Sequence, residues 1–124
     1  MPYSGWKLDE GVRGYLLALN RPKFNQVRMD HVTLEVCNKG DTLPVPQPAD
    51  IKIVGYASND NIEAYVVSVN DKIVRPDGEI YHITLSFRSG VGVEPKDSKA
   101  LCKNGWSPLE RIIPVDATPV FHPY

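Results

Sequence analysis

His31-Val32-Thr33-Leu34-Glu35-Val36 and, fifty-one residues later, His82-Ile83-Thr84-Leu85 are near-copies, each inside a run that alternates apolar and polar residues. Side chains alternate across a strand, so His and Thr two apart emerge on one face while Val/Leu or Ile/Leu enter the core. The pattern over Met29 to Val36 predicts a strand with Val32, Leu34 and Val36 on one side and His31, Thr33 and Glu35 on the other. Ile80 to Phe87 predicts its counterpart. The third histidine, His122, lies in Phe121-His122-Pro123 and shares no such pattern.

Outward from these two runs, Tyr3 to Leu8 reads as a short strand. Asp9 then offers a helix N-cap before Val12, Tyr15, Leu16 and Leu19 at helical spacing, and Asn20-Arg21-Pro22 ends the helix. Leu43-Pro44-Val45-Pro46-Gln47-Pro48 lacks the N–H groups of a central strand and reads as an exposed extended connection. Ile51 to Ala57 and Ile62 to Val69, separated by Ser58-Asn59-Asp60-Asn61, read as a β-hairpin. Arg75-Pro76-Asp77-Gly78 is a turn, Arg88 to Pro95 a loop, Pro95 to Lys103 a short helix, and Ile112 to Val120 a final edge strand. Strands without βαβ alternation predict an α+β domain, mainly antiparallel, with one or two helices.

The chain has 124 residues and a formal net charge of −1. That length suits one domain with one core, and the charge argues against extended duplex nucleic acid as a partner while leaving room for a small anion. Cys37 and Cys102 are too few and too far apart for a disulfide framework or a CxxC site, which predicts reduced thiols and a cytoplasmic protein. No stretch has the form of an export signal or a membrane span. Neither a carboxylate cluster nor a third histidine at ligand spacing points to a metal, and no cofactor motif is present. Gly90-Val91-Gly92 is not followed by the residues of a phosphate-binding loop.

Two imidazoles on two such strands suit the in-line opening of a cyclic phosphodiester bound between them: one accepts the proton of the attacking water and the other protonates the departing oxygen. Two threonine hydroxyls suit the nonbridging phosphate oxygens. His82 is assigned as base and His31 as acid, with the reverse open. The paired His-x-Thr motifs resemble the signature of the 2H phosphoesterase superfamily, which includes bacterial LigT-like RNA phosphodiesterases, tRNA-ligase cyclic phosphodiesterase domains and viral enzymes that destroy host nucleotide signals. Tyr3-Ser4-Gly5-Trp6, Asp30-His31-Val32-Thr33-Leu34, Arg75-Pro76-Asp77-Gly78 before Tyr81-His82-Ile83-Thr84, and Gly105-Trp106 are similar to a compact bacterial and phage branch.

The resemblance implies a bilobal α+β fold whose motifs face a central cleft. It makes His31 and His82 the acid/base pair, Thr33 and Thr84 phosphate ligands, and a small cyclic nucleotide or an RNA 2′,3′-cyclic phosphate end the substrate. The close spacing of the motifs departs from many members and leaves the substrate open, and a nucleotide-sequestering protein without turnover is the alternative. Trp6 and Trp106 read as base platforms, with Tyr3 as a further aromatic contact, although these rings also suit a core. Arg75 reads as a phosphate contact or as a solvated turn cation. Tyr81 is expected to pack inward, and Asp30 to point away from His31 by strand alternation.

Overall fold

The computed structural model describes all 124 residues, Met1–Tyr124. In chain order the elements are β1 (Tyr3–Leu8), α1 (Glu10–Leu19), β2 (Gln26–Val27), β3 (His31–Val36), β4 (Ile51–Ser58), β5 (Ile62–Val69), β6 (His82–Phe87), a 3-10 turn at Pro95–Asp97, α2 (Ser98–Lys103), β7 (Ser107–Val115) and β8 (Ala117–His122). They form an α+β domain of two antiparallel sheets, ordered β3-β1-β8 and β2-β6-β5-β4-β7. No helix is long and apolar enough to cross a membrane.

The sheets are joined at both ends by strands that leave one and enter the other. On one side β2 pairs with β6, and its ladder continues as Arg28 N–H to Leu85 O at 2.9 Å and Met29 N–H to Thr84 O at 2.8 Å. Met29 then adopts φ 50°, in the left-handed region, and the chain turns away to pair with β1 as β3. A left-handed residue breaks strand continuity, because its peptide planes no longer alternate. On the other side Val115 ends β7 and Ala117 begins β8, with Asp116 alone between them. The single edge strand expected over Ile112 to Val120 is therefore two strands in two sheets. Its alternation does not register a one-residue corner.

One core fills the space enclosed by both sheets. Trp6, Leu8 and Val32 from the three-stranded sheet pack with Ile51, Ile53, Tyr65, Val67, Val69, Ile83, Leu85 and Val115 from the five-stranded one, and Leu16 of α1 joins them. Residues of both sheets thus contribute to this one cluster. A second, smaller cluster, Ala57, Ala64, Val66 and Cys102, lies on the other face of the five-stranded sheet beneath α2.

Local details explain how the expected elements are held. Asp9 precedes α1 as expected, but its carboxylate accepts the Thr118 hydroxyl at 3.0 Å instead of capping the helix. The Pro-rich segment is free of regular structure and is fastened by the Trp6 indole N–H, which donates to Gln47 O at 2.9 Å. The link from α1 to β2 is tied down by Glu63, fully buried, which accepts the Lys23 N–H at 2.7 Å and the Tyr56 and Ser86 hydroxyls at 2.5 Å each. A buried carboxylate is tolerable only when its lone pairs are met in this way.

At Gly5 the strands β1 and β3 approach so closely, beside a register shift, that a Cβ would lie 2.1 Å from Val32 O. Gly5→Ala forces these backbones apart and is expected to cost about 2 kcal/mol, within the usual range for overpacking. The readout is a lower urea midpoint with an unchanged slope.

Candidate active site

Both motifs obey the alternation that their sequence predicts. Val32 and Leu34 pack on the shared core with Ile83 and Leu85, so His31, Thr33, His82 and Thr84 project from its outer side. His31, two residues past the corner at Met29, opens β3, and β3 stays in contact with β6, whose first residue is His82. Their charges are felt across this seam, for His31 is among the groups that depress the His82 pKa. The two pairs therefore lie on β3 and β6, strands of different sheets that contact each other.

The two imidazoles have different surroundings. His82 Nδ1 lies 2.8 Å from Ile80 O, a carbonyl that can only accept, so Nδ1 carries the proton and the Nε2 lone pair is left for a ligand. Burial, foremost, pushes the His82 pKa below its ordinary 6.5, and Arg75, His31 and Lys99 add like-charge repulsion against a smaller opposing effect from the Ile80 carbonyl. His31 Nδ1 instead faces Asp30 Oδ2 at 3.0 Å. That hydrogen bond, partly opposed by burial, holds the Asp30 carboxyl below the usual carboxylate range, with further help from the charges of His31, Lys7 and Arg13. Asp30 thus supplies a counter-charge for an imidazolium at His31, and His82 has none.

Alternation led to the expectation that Asp30 points away from His31, and this is corrected. The strand begins at His31 rather than Met29, so Asp30 lies outside the region where alternation applies. An acidic residue next to a histidine at the start of a strand was the signal available.

Tyr3 stacks on His31, with ring centroids 3.9 Å apart and planes 13° from parallel. Its other neighbour is His122, at 5.2 Å and 12°, so the histidine outside the sequence pattern joins the same aromatic row. Burial, chiefly, and the charge of Asp30 push the Tyr3 hydroxyl up to about 12. Tyr3 is 8 % exposed, and its ring steadies His31 rather than standing open to a base.

Thr84 is engaged with the α2 layer. Its hydroxyl lies 3.2 Å from Pro95 O and 2.9 Å from the fully buried Ser98 Oγ, which registers the 95–103 segment on β6. Thr33 is half-buried on the neighbouring strand.

The remaining expected contacts are placed elsewhere. Trp6 is 4 % exposed, edge-on to Tyr81 with centroids 6.4 Å apart, and is a core residue rather than a base platform. Tyr81 is buried as expected. Trp106 lies against Gly55, where an added Cβ would clash with its ring, and packs with the cluster under α2. Arg75 is neither a solvated cation nor a free phosphate ligand. It is buried and forked onto Asp77, with Nε to Oδ1 at 3.1 Å and Nη2 to Oδ2 at 2.6 Å. The Arg75 charge reaches His82 without the side chain being open to solvent.

No three His, Cys, Asp or Glu side chains converge as ligands for a metal ion. Hollows of about 350 and 490 Å³ flank α2, and neither is lined by a motif residue. Comparison with family models, curated proteins and solved structures finds no match to this chain.

A depressed His82 pKa means that, between its folded value and 6.5, the unfolded chain binds more protons than the folded one. The stability held by a neutral His82 is complete above about 6.5 and declines as pH falls through the window beneath it. Imidazole NMR titration should place the His82 midpoint below 6.5 with the proton on Nδ1, and Lys99→Gln should raise it. A midpoint at or above 6.5 contradicts the described environment.

Proposed function

We propose that this protein is a metal-independent phosphodiesterase of the 2H type that opens cyclic nucleotide phosphodiesters. The reading is supported most by two His-x-Thr strands in contact, with the pKa of one imidazole lowered by burial and the other imidazole beside a carboxylate. A phosphate held between them meets a base on one side and an acid on the other, as an in-line displacement requires.

In this scheme His82 Nε2 takes a proton from water as its oxygen attacks phosphorus. The bond from phosphorus to the ester oxygen on the far side breaks, and His31 Nε2–H protonates that leaving oxygen. Cyclic diester and water become a ring-opened ester, and the proton gained by His82 returns to His31 through solvent. Thr33 and Thr84 donate to the nonbridging oxygens, Thr84 by turning its hydroxyl from the Pro95 carbonyl. Asp30 is a positioning residue that fixes the His31 ring and balances its charge. These environments favour His82 as base and His31 as acid over the reverse.

The substrate classes that fit are small cyclic mono-, di- or oligonucleotide signals, which would suit a phage anti-defence role, and RNA 2′,3′-cyclic phosphate ends. Purified protein incubated with each in excess EDTA should yield ring-opened products on chromatography. Ligand recovered intact after tight binding would instead establish a sequestering protein, and activity abolished by EDTA would remove the metal-free scheme.

His31→Ala and His82→Ala should each lower turnover by at least ~10²-fold, the scale of general acid/base catalysis, with the fold intact by circular dichroism. Asp30→Asn should lower kcat by about tenfold and leave KM within about twofold, because the ring of the acid loses the carboxylate that orients it. An unchanged kcat would remove Asp30 from the positioning of His31.

A further inference from the structure

The segment that grips Thr84 also carries Lys96, Lys99 and Lys103, spaced three and four residues apart. Ser98 and Cys102 turn inward and are buried, which leaves the three exposed lysines on the outer side of α2 and its leading turn. With Glu79, Asp97 and Ala100 they line the hollow of about 350 Å³. That volume lies at the small end of ligand sites, which run from roughly 300 to 1,000 Å³.

The charges in this hollow are unevenly matched. Glu79 is paired with Lys103 at 3.6 Å, and Asp97 Oδ2 accepts the Glu94 N–H at 2.9 Å. Lys96 is paired with Glu94 at 3.2 Å. Lys99 alone of the three makes no ion pair. Its ammonium is nevertheless close enough to be felt at both His82 and Asp77. A free cation there disfavours charge on His82, and an anion in the hollow would compensate it.

We propose that this hollow is a second anion subsite, which takes a phosphate of the substrate other than the one being cleaved. The substrate is then a phosphodiester chain with two or more phosphates, and a cyclic mononucleotide is a poor one. The inference rests on the proposed placement of the scissile phosphate beside His31 and His82. The hydrogen bonds from Thr84 to Ser98 and Pro95 hold the lysine-bearing segment in register with that phosphate.

Binding tests the subsite apart from turnover. Titration calorimetry with the linear dinucleotide pApA and with AMP, neither of which contains a cyclic bond, compares the native protein, Lys99→Gln and the remote control Lys39→Gln. The native protein should bind pApA at least tenfold more tightly than AMP. Lys99→Gln should weaken pApA at least fivefold and AMP less than twofold, and should lower the slope of log affinity against log salt for pApA by about 0.7. Lys39→Gln should change neither.

Equal losses for both probes, no loss, or no binding of pApA by the native protein would overturn the proposal. The expected binding pattern in a protein that hydrolyses no cyclic diester would keep the subsite and remove the enzymatic reading. Hydrolysis without that pattern would do the reverse.

Discussion

The Met29 N–H to Thr84 O hydrogen bond, followed at once by the left-handed turn of Met29, is the constraint from which the arrangement of the site follows. Up to Met29 the chain is a neighbour of β6, and beyond it the chain belongs to the other sheet. The two motif strands thus come into contact where the sheets meet. Had the same strand remained straight, His31 would share an ordinary ladder with β6 and Asp30 would point to the opposite face. The turn frees Asp30 from alternation and lets its carboxylate reach His31.

Packing supports that corner from several directions. Met29 is fully buried in the shared core, and Val32 and Leu34 anchor the strand after it. Glu63 holds the chain before it through Lys23 and Ser86. Gly5 allows β1 to approach β3 at the next step. Each contact orders backbone near His31 without touching the outward face. The histidine ring is in turn fixed by an acid at one edge and an aromatic plane on one side. Such over-determination suits a group that must meet a proton donor or acceptor at a set distance.

Much of the fold was legible in the residues, and the reason is local. The β4–β5 hairpin, the Pro-rich connection, the limits of α1 and the short helix after Pro95 all rest on turn residues, proline and periodicity within a few positions. The candidate site was legible to the same depth. His and Thr two apart on a strand must share a face wherever the strand lies. The aromatic and cationic contacts were less legible, since an indole or guanidinium in a short motif does not state its depth. Trp6 became core because β1 is central in its sheet, and Arg75 was buried with Asp77 as its counter-ion.

The sequence by itself determined the outward His-x-Thr pairs and their apolar undersides, because side-chain alternation is a property of extended backbone. Only the tertiary structure decided that the two pairs are neighbours, that one core serves both sheets, and that one imidazole has a carboxylate while the other has burial and cations. Those outcomes depend on register between strands distant in the chain and on a single left-handed residue at a corner. Neither leaves a periodic trace, because both are selected by the burial of the whole chain rather than by any segment of it.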